Sequence, residues 1–325
     1  MSAPDDQHYW LVAGRALQGC VIPFLGAGAN LLERPDDVSW EKGTYLPSAT
    51  ELAAELAERC RYPDAPKDLL RVSQYLDAIL GTLPLYEYLH ELFDADYPPN
   101  SLHRLLARLP ALLRERGSPH QLIMTTNYDD ALERAFSEQD ESYDVVWYEA
   151  KPERPDTGMF IHRPPEGEAV PITTPNEYDA LSLEDRTVIM KLHGAVNRVD
   201  PRRDSYVITE DNYIDYLAQT DLQNQIPIML RQVMNESHYL FLGYSMRDWN
   251  LRVILNRIWS QSELNVQSWA VQLPHSDPRQ NDIEVKLWAD RARRGAGEVD
   301  LHQLPLKTYV ARLEEQLLEE AGVTV

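Results

Sequence analysis

The chain has 325 residues, of which 43% are hydrophobic, and its formal net charge is −21. This length and this apolar content indicate a globular protein with a sizeable core and exclude a disordered chain. So strong a negative charge repels phosphate backbones and excludes general nucleic-acid binding, although backbone N–H groups can still hold a small anion such as a dinucleotide.

Signals for secretion, membrane insertion and metal binding are missing from the sequence. The N-terminus, MSAPDDQHYW, has no basic stretch followed by an apolar segment, and no apolar run approaches the roughly 20 residues of a membrane span. We therefore expect a cytoplasmic protein. The two cysteines, Cys20 and Cys60, are too few for a disulfide framework or a four-cysteine zinc site. Because HExxH, GxSxG and Walker-type signatures are absent as well, we expect no metal.

The first third of the chain predicts a strand followed by a long helical block. A short amphipathic helix is predicted over 5–19, and the apolar run CVIPFL (20–25) is typical of a buried strand. A helical block then covers about 48–116, where Ser48 and Glu51 have the spacing of a capping box. Such a block is too long for one crossover helix. It predicts a helical layer inserted into a single domain that spans residues 1–325.

The remainder of the chain alternates strands with helices. Strands are predicted at 120–126, 144–150, 187–194, 238–244, 266–272 and 299–304. Helices are predicted after 129, twice within 209–235, over 248–259, near 280–292 and from 306, whereas 151–186 is predicted to be mostly loop. Solidly apolar strands alternating with helices favour a Rossmann-like, doubly wound α/β fold with a parallel sheet. Ligands bind such sheets beyond the carboxyl ends of the strands.

Two of these strand ends carry motifs that suit a dinucleotide. After the first strand comes Gly26-Ala27-Gly28-Ala29-Asn30, whose glycines let the backbone approach a pyrophosphate; the alternative is a tight turn without a ligand. After the second comes Thr125-Thr126-Asn127-Tyr128-Asp129, in which Asn127 can hold a ribose hydroxyl or a water. The alternative here is that Asn127 or Asp129 only caps the next helix.

Two further strands end in the same way. In His193-Gly194, the histidine can take up a proton near neutral pH and the glycine leaves room for a substrate. The alternative is that His193 is a half-buried histidine with a structural role. Gly243-Tyr244-Ser245 offers close approach and a hydroxyl for phosphate or ribose. The alternative is helix capping by Ser245 or Asp248, with Trp249 as a packing residue. Four such strand ends together predict a dinucleotide site more specifically than any one of them.

In this order, strand-GAG, TNYD, KLHG and LGYSMRDWN, the motifs resemble the sirtuin-like domain of bacterial anti-phage defence proteins, from about Val21 to about Ile254. The resemblance implies an NAD-binding Rossmann-like domain beside a helical module. It also implies a site, with NAD phosphates and ribose at Gly26, Ala27 and Gly28, the nicotinamide ribose at Asn127, the carboxamide at Asp129, the catalytic histidine at His193, and the adenosine side at Gly243 and Ser245. Asn30, Thr126 and Gly194 complete the expected cofactor-binding residues.

Two departures from the protein-deacylating sirtuins direct the expected chemistry. Their four-cysteine zinc ribbon has no counterpart, and no Pro-Asp-Phe-Arg type segment follows Asn30. The resemblance therefore implies hydrolysis of NAD+ to ADP-ribose and nicotinamide, as an effector that depletes NAD+ in anti-phage defence. Asn127 would position the ribose or the attacking water, Asp129 would orient the nicotinamide, His193 would act as general base, and the loop after Asn30 would exclude bulk water.

Two other functions stay open at the level of sequence. One is a sensor that binds NAD or ADP-ribose without turnover, and the other is NAD-dependent protein deacylation or ADP-ribosyl transfer. After the last strand only one helix is predicted, so no sensor domain is visible. By analogy we expect a homo-oligomer, or a complex with a separately encoded helicase-like ATPase or Argonaute-like partner, without direct nucleic-acid or membrane binding.

Overall fold

The computed structural model describes residues 5–35, 37–65, 68–218, 222–246, 266–291 and 298–323, together with residues 252 and 255. The helices are α1 (Asp6–Ala16), α2 (Ala27–Asn30), α3 (Ala49–Cys60), α4 (Leu69–Leu80), α5 (Thr82–Phe93), α6 (Ser101–Arg116), α7 (Ala131–Glu138), α8 (Glu210–Ala218), α9 (Leu222–Gln225), α10 (Ile228–Glu236), α11 (Pro278–Arg291) and α12 (Leu306–Ala321). The predicted helix at 248–259, with Asp248 and Trp249, lies outside the described residues except at 252 and 255.

The strands are β1 (Val21–Leu25), β2 (Leu122–Thr125), β3 (Tyr143–Tyr148), β4 (Phe160–Arg163), β5 (Val170–Pro171), β6 (Thr187–Lys191), β7 (Gly194–Ala195), β8 (Ser205–Tyr206), β9 (His238–Leu242), β10 (Ser268–Gln272) and β11 (Val299–Gln303). Within the described residues, nine of them form one sheet in the order β11-β10-β9-β1-β2-β6-β3-β4-β5. Neighbours from β11 to β3 are parallel, and β4 and β5 are antiparallel.

The predicted doubly wound α/β fold is confirmed. Strands β1 and β6 are buried at every position, because helices cover both faces of the sheet. One face packs on the apolar stripes of α1, α6 and α12, and the other packs on α8, α10 and α11. Among the described residues, no helix combines the length and apolar character that a membrane crossing requires.

The chain reverses its direction across the sheet at β1. After β1 it builds β2, β6 and β3 on one side, and it later returns to build β9, β10 and β11 on the other. Phe24 of β1 therefore pairs with Met124 of β2 and with Phe241 of β9. The carboxyl end of β1 is consequently the switch point at which open α/β sheets bind their ligands.

The helical block has two different packing partners. Helices α3, α4 and α5 pack around a separate core, to which Leu56, Leu76 and Leu89 contribute and which Tyr206 of β8 joins. Helix α6 covers the sheet instead, since its leucine stripe shares a core with β1 and β2. The layer predicted over about 48–116 is thus built by α3 to α5. The capping box at Ser48 and Glu51 is confirmed, with each residue accepting a hydrogen bond from the backbone N–H of the other.

One prediction of secondary structure was wrong, and four short strands were not predicted. The segment predicted to be mostly loop contains β4 and β5, because the short FIHR sequence of β4 buries Phe160 and Ile161 by pairing with β3. Residues 209–235 hold three helices and not two, since Pro227 ends one segment and caps the next. The two-residue strands β7 and β8, which pair with each other, were not predicted either.

Candidate functional site

The four polar and glycine motifs follow four neighbouring strands. In the sheet order these strands are β9, β1, β2 and β6, and each motif comes directly after or within two residues of its strand. Backbone bonds continue the sheet past the strands, since Gly26 donates to Leu242 at 2.9 Å and Leu192 donates to Thr125 at 2.9 Å. Gly26 to Asn30, Thr126 to Asp129, His193-Gly194 and Gly243 to Ser245 therefore lie along one edge of the sheet.

The glycines after β1 and β9 bring two backbones into contact. The Gly28 N–H donates to the Gly243 carbonyl at 3.1 Å, and a Cβ on Gly28 would lie 2.9 Å from that oxygen. Gly243 has φ +76°, and a Cβ there would lie 2.1 Å from the Ala29 nitrogen. Close packing of the protein on itself thus requires these glycines, and the amide of Gly28 is used within the fold. A role for them at a pyrophosphate stays a prediction.

Asn127 connects the β2 loop to the β1 loop. Its Nδ2 donates to the Gly26 carbonyl at 3.1 Å, and its backbone N–H donates to Thr125 Oγ1 at 3.0 Å. The Asn127 side chain therefore points across the strand ends and not to the start of α7. Nearby, Thr126 Oγ1 lies 2.9 Å from the hydroxyl of Tyr244, which donates to the Leu25 carbonyl at 2.8 Å. The loops after β1, β2 and β9 are held together by these bonds.

Asp129 is a buried carboxylate with partners on both oxygens. Its Oδ1 accepts the Ala131 N–H at 3.1 Å, as the capping alternative requires, and its Oδ2 accepts from Asn30 Nδ2 at 2.7 Å. Lys191, which is 1% exposed, donates to the Asp129 main-chain oxygen and to Glu133 Oε1 at 2.5 Å. Burial raises the pKa of Asp129 and of Glu133, and the ammonium of Lys191 opposes both shifts.

Sequence reasoning missed Lys191 and Glu133. A lysine that closes the otherwise apolar strand TVIMK was the available signal, because a strand buried on both faces has no solvated position for a cation. Glu133 carried no such signal, since a glutamate in the first turn of a helix is ordinary. The ion pair joins the end of β6 to α7, directly behind the Thr126 to Asp129 loop.

His193 is buried between α8 and the strand ends. Its ring makes edge-on contacts with Tyr213 and Tyr216, and its Nδ1 lies 3.3 Å from the Tyr213 hydroxyl. Burial lowers the pKa of His193 to about 3, so the imidazole is neutral at pH 7. Within the described residues its Nε2 has no hydrogen-bond partner. Gly194 follows with φ +89°, and a Cβ there would lie 2.1 Å from the Ser205 carbonyl oxygen, so β8 already requires this glycine.

Ser245 is held by a glutamate that sequence reasoning also missed. Glu284 of α11 is 1% exposed, accepts the Ser245 hydroxyl at 2.6 Å and accepts the Met246 N–H at 3.0 Å. This carboxylate fixes the loop after β9. Asp248, Trp249 and Asn250, which follow in the sequence, lie outside the described residues.

A cavity of about 320 Å³ lies away from these strand ends, between α4, α5 and α8. Asp77, Tyr86, Asp211 and Asp215 are among its lining residues, and none of the predicted site residues lines it. The strand ends remain the better candidate for a dinucleotide site, because they combine the switch point with buried hydrogen-bonding groups. In the described parts of the chain, no three His, Cys, Asp or Glu side chains converge as metal ligands would.

The fold and these strand ends define a SIR2-like, Rossmann-type domain. The family model described as "SIR2-like domain" matches residues 121–293, which is more than half of the chain. This chain belongs to the SIR2-like domain family, as the motifs predicted.

Three relatives have informative names. NAD(+) hydrolase ThsA of Cytobacillus dafuensis is 25% identical over 232 residues, covering 71% of this chain and 37% of that protein. Defense-associated sirtuin 2 of Bacillus subtilis is 24% identical over 239 residues, covering 73% and 19%. NAD(+) hydrolase ThsA of Bacillus cereus is 22% identical over 300 residues, covering 90% and 52%. The chain thus spans between about a fifth and a half of the length of these relatives.

Proposed function

We propose that this chain is an NAD+ glycohydrolase, which breaks the bond between nicotinamide and ribose and releases ADP-ribose. The observation that carries the proposal is the alignment of four motif-bearing strand ends, β9, β1, β2 and β6, at the switch point of a SIR2-like sheet. Similarity to two proteins named NAD(+) hydrolase supports hydrolysis as the reaction.

In the proposed reaction the C1′–N bond breaks, nicotinamide leaves as a neutral molecule, and water adds its oxygen to C1′ and releases a proton. The transition state resembles an oxocarbenium ion, as in glycoside hydrolysis. Asn127, whose Nδ2 is 3.1 Å from the Gly26 carbonyl, positions the ribose or the water between the β1 and β2 loops. Its side-chain oxygen accepts a hydrogen bond from a hydroxyl while the nitrogen keeps its place.

His193 takes the part of the base. In the tautomer that donates Nδ1–H to the Tyr213 hydroxyl, Nε2 is an acceptor for a ribose hydroxyl or for the attacking water. A neutral, buried imidazole binds such a hydrogen without first losing a proton to solvent. The hydroxyl becomes more acidic as positive charge develops on the ribose. This assists transfer of the hydroxyl proton to His193, which is otherwise a weak base.

The remaining predicted residues form the proposed binding surface. Gly26, Ala27, Gly28 and Asn30 would contact the phosphates, ribose and nicotinamide from the β1 side. Thr126, Asp129 and Gly194 would do so from β2 and β6, and Gly243 and Ser245 from the adenosine side. The backbones of Gly28 and Gly243 pack against each other, so only backbone and side-chain groups that point away from this contact are available to the ligand.

We further propose that the cleavage serves anti-phage defence by depleting NAD+. The name Defense-associated sirtuin 2 for a relative at 24% identity supports this role. Assembly as a homo-oligomer, or with a separately encoded helicase-like ATPase or Argonaute-like protein, is proposed as the means of control.

The test is nicotinamide release from NAD+ by the purified chain, with N127A and H193A beside the wild type. H193A is expected to lose at least about a hundredfold in rate, which is the usual contribution of an acid–base group. N127A is expected to lose about as much, because the ribose or the water is no longer positioned. The matched control is H238A, because His238 is a half-buried histidine that lies at the opposite end of β9 and bonds the Gln267 carbonyl. Equal rates in the wild type, N127A and H193A would refute the proposal.

One observation favours a second function, which is binding of NAD or ADP-ribose without turnover. Burial that lowers the pKa of His193 to about 3 leaves a weak base and suits a binding group better than a proton carrier. A sensor of this kind predicts saturable binding by calorimetry and no nicotinamide after long incubation. Consumption of an acyl-lysine peptide together with NAD+ would instead indicate deacylation.

A further inference from the structure

The cavity between α4, α5 and α8 lies outside the site proposed for NAD+. Its volume of about 320 Å³ is near the lower end of the range for small-molecule pockets, about 300 to 1,000 Å³. Leu85 and Tyr86 of α5 and Thr209, which precedes α8, are buried among its lining residues. A space of this size accommodates one long side chain of a ligand.

Two carboxylates of this cavity have no cation beside them. Asp77 of α4 and Asp215 of α8 line it, and neither forms an ion pair with a residue that the structure describes. Asp77 Oδ1 is buried and has no hydrogen-bond partner there. A third carboxylate, Asp211, accepts from Gln74 Nε2 at 2.8 Å and so joins α8 to α4. Uncompensated carboxylates at the wall of a cavity attract a cationic ligand.

The arrangement of these charges suits an organic cation and not a metal ion. In the parts of the chain that the structure describes, no three His, Cys, Asp or Glu side chains converge as metal ligands would. The ammonium of Lys151 lies over the ring of Tyr86, with Nζ 5.0 Å from the ring centroid, and Lys151 does not line the cavity. A guanidinium has five N–H donors and can bond more than one carboxylate.

Exposed apolar side chains border the cavity. Ile214 of α8 lines it and is 60% exposed. Ile79 and Leu80 at the end of α4 are 59% and 49% exposed, and Leu83, which follows the lining residue Thr82, is 61% exposed. We call Ile79, Leu80, Leu83 and Ile214 the apolar rim. Large apolar side chains that cluster on a surface are typical of an interaction site.

We propose that the cavity and the apolar rim are the docking site for a segment of another protein that carries a basic side chain between apolar ones. The basic side chain enters the cavity and pairs with Asp77 and Asp215, and its apolar neighbours cover the rim. Charge complementarity favours a separate, basic partner over a second copy, because this chain has a net charge of −21 and repels itself.

The docking site shares helix α8 with His193. Ile214 and Asp215 line the cavity, whereas Tyr213 and Tyr216 of the same helix contact the His193 ring. A docked segment therefore contacts the helix that packs against His193. The docking itself does not depend on the proposed hydrolysis, but an effect of docking on nicotinamide release rests on that function.

The experiment measures, by fluorescence anisotropy, the affinity of the purified full chain for a labelled, blocked peptide with one arginine between two pairs of leucines. A second peptide carries citrulline, which keeps the shape of arginine and lacks its charge. The arginine peptide is expected to bind at least about fivefold more tightly, because charge-assisted hydrogen bonds are about twice as strong as neutral ones. Equal affinity for the two peptides, or binding of neither, would overturn the proposal.

Variants test the two parts of the surface separately. D77N/D215N is expected to abolish the preference for arginine over citrulline, whereas I214S is expected to weaken both peptides by about fivefold and keep their ratio. The matched controls are D282N and I283S, whose side chains are exposed on α11 and do not line the cavity. If D77N/D215N does not fold, D215N decides, since it changes an exposed carboxylate; an unchanged ratio would overturn the proposal.

Other occupants give different results. A blocked arginine amide that binds as tightly as the peptide would overturn the proposal in favour of a site for a small cation, because the rim would then contribute nothing. Dissociation of a homo-oligomer by I214S in sedimentation velocity would assign the surface to a second copy of the chain, and would overturn the proposal too.

The link to His193 has its own readout. Saturating arginine peptide is expected to change the rate of nicotinamide release by at least about fivefold, which is the lower end of the usual coupling between two sites. An unchanged rate with the peptide bound would overturn the link and leave the docking site standing. Failure to release nicotinamide with and without the peptide would count against the proposed hydrolysis and the link, and the peptide affinities would still decide the docking site.

Discussion

Replacement of Gly243 by alanine is the sharpest test of how the strand ends are built. The added Cβ would lie 2.1 Å from the Ala29 nitrogen and 2.6 Å from the Gly28 carbonyl carbon, whereas real Cβ contacts are almost never below 3.0 Å. The obstacle is backbone on both sides, which cannot rotate away. The β9 loop must therefore move by about 1 Å from the β1–α2 turn to restore ordinary contact.

The cost of G243A has two parts. A positive φ costs a residue with a Cβ about 1 to 2 kcal/mol, and the φ of Gly243 is +76°. Separation of the loops also breaks or stretches the bonds from Gly28 to Gly243 and from Gly26 to Leu242, each of which contributes about 1 kcal/mol. We therefore expect a loss of about 3 to 4 kcal/mol in the free energy of unfolding.

Gly117 provides the matched control. It ends α6 with φ +66°, and a Cβ there would meet nothing within 4 Å. G117A should therefore cost only the conformational part, about 1 to 2 kcal/mol. Urea unfolding of both variants, read as midpoint shifts at constant slope, separates the steric part from the conformational part. Equal midpoints for G243A and G117A would refute the close-contact argument, and G243A should also lose NAD+ affinity while G117A should not.

Three further predictions concern buried ionisable groups. Because burial lowers the pKa of His193 to about 3, the imidazole stays neutral from pH 8 to 5 and kcat for nicotinamide release should be flat there; an acid limb near pH 6.5 would contradict it. Burial also lowers the pKa of His8 to about 3 and the pKa of His302, so the unfolded state binds more protons below pH 6.5. The free energy of unfolding should then fall by up to about 1.4 kcal/mol per pH unit for each histidine as acid is added, and H8F should reduce that slope in urea titrations. K191M should lower the free energy of unfolding by about 3 kcal/mol or more, because Glu133 is left buried without its cation. The double variant K191M/E133Q should recover most of this loss, and equal urea-unfolding midpoints for the wild type and K191M would argue against a stabilising ion pair.

The strands that position the site were predictable because their signal is local. β6 was predicted over 187–194 and spans Thr187–Lys191, and β9 was predicted over 238–244 and spans His238–Leu242. Strands buried on both faces are continuous apolar runs, and a polar or glycine residue marks the end of each run. A ligand edge in a parallel sheet follows from those ends alone.

Strand pairing was less predictable, because it depends on a distant partner. β4 spans only Phe160–Arg163 within a segment rich in proline and acidic residues, and it is stabilised by antiparallel pairing with β3. Its four residues are too few to establish an alternation of period two. The packing of α6 against the sheet was not predictable for a similar reason, since its apolar stripe would fit the helical layer equally well.

Several polar contacts of the strand ends were not predictable from the sequence. Lys191 and Glu133 are separated by 58 residues. Lys191 opens the KLHG motif but was given no role in it, and Glu133 belongs to no recognised motif. A buried ion pair looks in sequence like two solvated side chains, because burial is decided by tertiary packing. Glu284 was missed likewise, although it fixes the loop that carries Ser245.

The glycines of these motifs serve the close packing of the strand ends. Gly28, Gly194 and Gly243 are each required by contact with a neighbouring backbone, so the fold alone explains them. A glycine pattern of this kind indicates the SIR2-like sheet first and a ligand only indirectly. Two side chains at these strand ends have a buried polar atom without a partner among the described residues, Asn30 Oδ1 and His193 Nε2. Each of these two atoms is free to accept a hydrogen bond from a ligand of the proposed site, whereas the glycines are explained by the fold.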